Sequence, residues 1–278
     1  MRRWVIAGAG ALVWMAAVSP SGAADIPAAP VAKAPVMIPA KQSWYGFYIG
    51  IHGGYAWGNS PIQYTPDAFY APLLIAAGAP TSAAGKSKGF LGGITYGSNY
   101  QFDRIVVGFD SDFSYTDIKA SQAFSGAIGP IPFTANASQT LKWFGTSRVR
   151  AGFLLSDNIL LYGTGGLASG TAESTTTNNV PIAGGCLLPG ACARGSASKN
   201  MYGWAAGGGI EYADGPWQFR VEYLHYDLGT LSYAMRDLVV PLNVINASVR
   251  VNGDMVRGGI SYRFNWTPLG LIFGTDRI

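Results

Sequence analysis

The chain has 278 residues, 19 basic and 15 acidic side chains, a formal net charge of +4, and only 12% charged against 49% hydrophobic residues. Soluble domains carry about 25% charge, yet beyond the first 24 residues no apolar run reaches the roughly 20 residues of a transmembrane helix. The basic residues form no Lys/Arg cluster, so nothing supports a nucleic-acid partner, whereas low charge without long apolar runs is what a membrane barrel produces by alternating lipid-facing and lumen-facing residues.

In chain order, Arg2 and Arg3 precede an apolar stretch over 4–18, and Ser21, Gly22, Ala23 and Ala24 supply small residues for cleavage. This predicts a cleaved signal peptide, 1–24, ending at Ala23 or Ala24. The arginine pair sits too close to Met1 for a twin-arginine signal, so export follows the general secretory route. No Cys lies near the cleavage point to carry a lipid. Pro27, Pro30, Pro35 and Pro39 make 25–43 an extended periplasmic linker. A barrel over 44–264 and a tail over 265–278 complete the predicted organisation.

Period-two alternation marks eight segments between 44 and 264. The first, 44–57, sets Phe47, Ile49, Ile51, Tyr55 and Trp57 against Tyr48, His52 and Ala56. The second, 88–102, sets Phe90, Ile94, Tyr96 and Phe102 against Leu91, Thr95 and Asn99. In the third, 104–117, Ile105, Val107, Phe109, Phe113 and Tyr115 oppose Asp110, Asp112 and Thr116. In the fourth, 138–154, Leu141, Trp143, Val149 and Phe153 oppose Lys142, Thr146, Arg148 and Arg150. The fifth, 158–172, is Gly-rich with unresolved faces. The sixth, 199–213, sets Tyr202, Trp204, Ile210 and Tyr212 against Glu211. The seventh, 216–228, sets Trp217, Phe219, Val221 and Tyr223 against Gln218, Arg220 and Glu222. The eighth, 248–264, sets Val256, Ile260, Tyr262 and Phe264 against Arg257, Gly259, Ser261 and Arg263.

Tight turns at Asp103-Arg104, Ser156-Asp157 and Asp214-Gly215 alternate with loops of roughly 30, 20, 26 and 20 residues. Short turns toward the periplasm and long loops outside are the arrangement of an all-β, eight-stranded antiparallel transmembrane barrel of the outer-membrane type. A soluble β-sandwich would also use short alternating strands. Against it stand aromatics crowding the ends of the apolar faces and charges on the opposite faces.

Eight strands leave an interior just wide enough for its own side chains. The inward faces would hold Asp110, Asp112, Glu211 and Glu222 with Arg148, Arg150, Arg220, Arg257 and Arg263, and buried ions are tolerated only when paired. Such a network either plugs the barrel or lines a narrow path for ions or very small solutes. A lipid A-modifying enzyme is a third reading, with His225, Glu222 and Ser232 drawn as a triad. Residues three apart in a strand point to opposite faces, so His225 reads as part of an aromatic rim, His52 as a satisfied lumen residue, and no enzyme activity is expected. Cys186 and Cys192 enclose a Pro-Gly turn and predict a local disulfide in an oxidising compartment. Without nearby His they form no zinc site, and no Gly-rich stretch precedes a helix as a phosphate loop requires. No metal or cofactor is expected.

The run from Arg257 to Phe264, with Gly259 and Tyr262 at its polar-x-Gly-x-x-apolar-x-aromatic positions, resembles the C-terminal signal read by the outer-membrane assembly machinery. WYGFYIG at 44–50, SRVRAG at 147–152, LYGTGG at 161–166, WQFRVEY at 217–223 and that terminal run resemble, in order and spacing, the alphaproteobacterial outer-membrane immunogenic protein family, small porin-like barrels related in shape to opacity proteins. The resemblance implies an abundant, surface-exposed envelope protein of the Gram-negative outer membrane. Its implied partners are outer-membrane lipid and lipopolysaccharide, the barrel assembly machinery, periplasmic chaperones, and host or environmental ligands at the loops. Some relatives are described as porins or haemin binders, but the long loops here hold no His, so haem would need Tyr or Met. Such barrels usually stop at the terminal aromatic. Deleting 265–278 is therefore expected to leave assembly intact.

Overall fold

The computed structural model describes residues 42–76, 78–79, 81–83, 85–128, 130–180, 185–268 and 270. The predicted signal peptide and all but the end of the predicted linker lie outside the described residues. Among the described residues ten strands follow in chain order: β1 Gly46–Asn59, β2 Ile62–Pro66, β3 Ser82–Ala83, β4 Lys86–Phe102, β5 Ile105–Ile128, β6 Ile131–Ser156, β7 Ile159–Asn179, β8 Cys192–Asp214, β9 Trp217–Asp237 and β10 Val244–Arg263. One helix, α1 Tyr70–Ala76, lies between β2 and β3.

Strands β1, β4, β5, β6, β7, β8, β9 and β10 form one antiparallel sheet that closes on itself through β1 and β10. The seam pairs Ile51 with Ile260 and, on its other edge, Ile51 with Ile94, so all three strands share a register in which the apolar face points one way. Gly46 has φ +131°, and a Cβ there would lie 1.8 Å from the Phe264 carbonyl oxygen. Only glycine fits where the chain enters the seam. The three tight turns fall at 103–104, 157–158 and 215–216, the last two one residue later than the sequence pattern placed them. Asp103 and Gly215 adopt the left-handed conformation those turns need.

The predicted long loops are mostly strand. The β5–β6 ladder runs without a loop to Ile128 opposite Ile131, broken only by a bulge between Tyr115 and Ile118. The β7–β8 ladder runs to Asn179 opposite Cys192. The 60–85 connection is also folded, because β2 takes over pairing to β10 above the end of β1, and β3 pairs with β2. A strand of 24 residues, such as β5, is about 80 Å long, whereas a tilted strand crosses the bilayer with about 10 residues. Roughly half of each long hairpin therefore stands outside the membrane as an extracellular head.

Outward side chains change character at one level around the barrel. Below it they are large and apolar: Ile51, Phe90, Val149 and Leu167 are 62%, 72%, 67% and 72% exposed. An aqueous protein would not leave such a belt in water; lipid solvates it. Trp57, Tyr115, Trp143, Tyr202 and Trp204 rim the belt on the long-loop side, and Trp217, Tyr262 and Trp266 rim the other. Above the first rim the outward residues become Asp117, Lys119, Glu173, Ser196 and Arg250.

The inside is layered. At the periplasmic end Trp44, Val106, Leu154, Leu160, Tyr162 and Ala213 form a small apolar plug. The charged residues occupy the middle. Above them a larger apolar core, including Phe144, Leu224, Tyr226, Leu231, Met235 and Met255, fills the barrel into the extracellular head. The inward face is thus not uniform: the ion-pair network occupies the middle, with apolar clusters above and below it.

The barrel also reaches past Phe264. Trp266 accepts a hydrogen bond from Phe47 N at 2.6 Å and stacks on the Phe47 ring at 5.4 Å. The buried Thr267 hydroxyl meets Tyr100 Oη at 3.2 Å and Tyr45 Oη at 3.3 Å. A chain ending at Thr267 is expected to insert and refold like the full protein. One ending at Phe264 should also insert, but with about 1–3 kcal/mol less stability in a urea titration, for the lost stack and hydrogen bonds.

Candidate functional site

The central layer is built by register. Asp110 lies directly opposite Arg148 on the β5–β6 ladder, Glu211 opposite Arg220 on β8–β9, and Glu222 opposite Arg257 on β9–β10. Alternation turns all of these residues inward, where they are buried. Arg148 bonds Glu222 through one terminal nitrogen at 3.1 Å and Asp112 through the other at 3.1 Å. Arg257 reaches the same two carboxylates, Asp112 at 2.8 Å and Glu222 at 2.7 Å. The four side chains close a ring of alternating charge across the lumen. Asp110 links that ring to Arg220 at 2.6 Å, with Arg148 at 3.8 Å, and Arg150 holds Glu211 at 2.6 Å.

Neutral groups complete the layer. Thr95 donates to Asp110 at 2.9 Å and Thr146 to Asp112 at 2.6 Å. Tyr162 donates to Glu222 at 3.0 Å, and the Arg150 guanidinium lies 4.1 Å from the Tyr162 ring centre. His52 joins Ser114 at 2.7 Å. Four acids and four arginines balance, which is what a desolvated layer requires.

Arg263, assigned to the network from its alternation, does not belong to it. It sits at the periplasmic end of β10, where its guanidinium donates to Tyr45 O at 2.8 Å and Asn265 Oδ1 at 3.0 Å. Position along the strand, which face periodicity cannot supply, decides this. A second correction concerns Leu141 and Lys142. Register shifts at Leu141/Phe144 exchange their sides, so Leu141 is buried and Lys142 points out to Glu173 at 3.0 Å.

The drawn triad does not assemble. Glu222 is in the lumen, His225 is on the outer face, and Ser232 lies farther along β9. His225 instead meets Asp254, its direct cross-strand neighbour on β10, at 2.8 Å, and Tyr223 donates to the same carboxylate oxygen at 2.6 Å. Sequence reasoning missed Asp254 because only the register places it there. Among the described residues no group of three His, Cys, Asp or Glu side chains is arranged to hold a metal.

Two aspartates tie the extracellular head together. Asp67 caps α1 by accepting from Phe69 N at 3.0 Å and Tyr70 N at 2.9 Å, and it accepts from Val244 N at 2.6 Å. Asp237 accepts from Tyr70 Oη at 2.7 Å, from Val239 and Val240 N at 2.7 and 3.0 Å, and from Gly190 N. Cys186 and Cys192, with Cα atoms 5.1 Å apart, are joined beside Gly190. Leu73 and Leu74 of α1 pack onto the upper apolar core, so the helix corks the barrel mouth.

Backbone donors, Tyr70 N first and Val244 N next, hold the Asp67 carboxyl below its ordinary value. Burial works against the Asp237 charge, but donation from Val240, Tyr70, Val239 and Gly190 outweighs it and lowers that carboxyl as well. A depressed carboxyl stabilises the fold above its ordinary value, near 4, and loses that contribution as pH falls through the folded value. Hydrogen-exchange protection over 70–76 and 185–191, taken relative to the intrinsic rate at each pH, is therefore expected to be high at pH 7 and to fall below about pH 4, while protection in the central layer is retained.

A closed eight-stranded barrel with a lipid-facing apolar belt, two aromatic rims and a filled lumen is an outer-membrane β-barrel of the small class. The family model for the outer membrane protein beta-barrel domain matches residues 26–264, and the chain belongs to that family. It is 33% identical over 267 residues, 95% of this chain and 100% of the relative, to the 31 kDa outer-membrane immunogenic protein of Brucella melitensis. It is 26% identical to the 25 kDa outer-membrane immunogenic protein of Brucella abortus, over 84% of this chain and 86% of that one. These relatives and the family model place the protein in the outer membrane, among the outer-membrane immunogenic proteins. Among solved structures it resembles the outer membrane protein OprG from Pseudomonas aeruginosa, with a TM-score of 0.44, 14% identity, and coverage of 81% of this chain and 98% of that one.

Proposed function

We propose that the protein is a non-conducting, non-enzymatic barrel that supports outer-membrane integrity and presents its ordered extracellular head to the surroundings. The observation that carries this reading is the threefold closure of the lumen: an apolar plug at Trp44, a neutralised ionic layer, and an apolar core capped by α1. A narrow ion channel is the competing reading. It has the ionic layer in its favour, but an ion would have to cross the largely apolar packing above and below that layer, at a desolvation cost of several kcal/mol.

The head is a suitable contact surface because paired strands, the 186–192 disulfide and the two aspartates hold its shape. The Brucella relatives are described as immunogenic, which supports surface exposure here. Tyr262 in β10 and Phe264 just past its end, both of the expected assembly signal, face outward while Arg257 is locked into the ionic ring. That is consistent with recognition of the lipid-facing side by the assembly machinery before closure.

The test is a deletion strain. Loss of the protein should raise sensitivity to detergents and bulky hydrophobic antibiotics, with uptake of small hydrophilic solutes unchanged. A strain whose only defect is slower small-solute uptake would favour the channel.

A further inference from the structure

Four of the seven lysines in the chain fall on three adjacent strands, at one height on the outer surface. Lys86 and Lys88 are on β4, Lys119 on β5 and Lys142 on β6, all exposed. Lys88 and Lys119 are direct cross-strand partners, a placement in which like charges repel unless an anion lies between them. Two carboxylates share the patch: Asp117 pairs with Lys119 and Glu173 with Lys142. Among the described residues Lys86 and Lys88 have no carboxylate partner, so the patch keeps an excess of positive charge.

Immediately below this patch, toward the membrane, stands an aromatic wall. Lys88 is paired with Trp57, and Phe90, 72% exposed, packs edge-on to Tyr55 at 5.1 Å. On the next strands Tyr115 is 74% exposed, and Phe113 stacks on Trp143 at 5.5 Å. The surface is thus apolar where acyl chains lie and cationic where headgroups begin, on the long-loop side of the membrane.

We propose that this β4–β6 face binds a phosphorylated glycolipid of the outer leaflet, its acyl chains along Phe90, Tyr115 and Trp143 and its phosphates on Lys86, Lys88, Lys119 and Lys142. The spacing favours a headgroup with two separated anions over a single phosphate. Two interstrand steps separate β4 from β6, about 10 Å, which matches a disaccharide phosphorylated at both ends. The proposal concerns the outer surface and stands whether or not the lumen conducts.

The test uses the full chain refolded in neutral micelles and titrated with bisphosphorylated lipid A, read by intrinsic tryptophan fluorescence. Heat-modifiable gel mobility confirms that each variant is folded. Wild type should bind saturably. The triple variant Lys86→Gln, Lys88→Gln, Lys119→Gln should bind roughly 100-fold more weakly, at about fivefold per lysine. Asp117→Asn should bind more tightly, since it removes the local carboxylate, and Lys199→Gln, on β8, should match wild type. Equal affinity of the triple variant and wild type would overturn the proposal. So would equal binding of dephosphorylated lipid A, phosphatidylglycerol or inorganic phosphate, because each would show that the paired phosphates on the glycolipid are not what is recognised.

Discussion

Replacing Arg148 by alanine is expected to lower the stability of the refolded barrel by about 3–5 kcal/mol, the cost of leaving buried charge without its partner. Arg148 is fully buried and serves Asp112, Glu222 and, at longer range, Asp110. Its removal leaves Arg257 alone to neutralise the ring carboxylates Asp112 and Glu222. Arg148→Lys should rescue little, because one ammonium cannot reach two carboxylates on opposite sides of a planar fork. Adding Asp112→Asn to Arg148→Ala should restore part of the loss, since most of the cost lies in the stranded carboxylate rather than the missing attraction. Urea titrations in lipid vesicles measure all three. A loss under 1 kcal/mol for Arg148→Ala would mean that water already solvates the layer.

The second large effect is expected at Phe144. Its side chain is fully buried in the upper core, with its ring 5.0 Å from that of Tyr226. Phe144→Ala removes that volume from a closely packed interior and should cost about 3–5 kcal/mol. Phe144→Leu, which keeps most of the apolar volume, should cost much less. Neither Phe144→Ala nor Arg148→Ala should open a conducting path, because each leaves the other layers in place. The upper core is therefore a structural element and a seal at once.

What the sequence revealed follows from which residues are large. In the membrane zone Phe219, Val221 and Tyr223 alternate with Gln218, Arg220 and Glu222, so both the strands and the inward charges could be read from period two. In the head many inward positions are small, such as Ala137, Ala172, Ala193 and Ala247, and many outward ones are Ser, Thr or Asn. With little contrast between faces, the upper halves of β5 and β6 read as a long connection. Lys142 and Leu141 were reversed because a bulge shifts the phase by one residue without any compositional mark. The ionic layer was legible as a set of residues, since eight of the nine proposed members meet in it. Its ring, its confinement to the central third and the His225–Asp254 contact depend on register, which face periodicity does not encode.

The claim on which the rest depends is that the lumen is closed. Planar-bilayer recording of the refolded protein tests it most directly. Wild type, Arg148→Ala and Asp110→Ala are each expected to leave the bilayer at its baseline conductance. Reproducible single-channel steps from wild type, with ion selectivity that shifts on Arg148→Ala or Asp110→Ala, would contradict the closed lumen and make the ionic layer a filter.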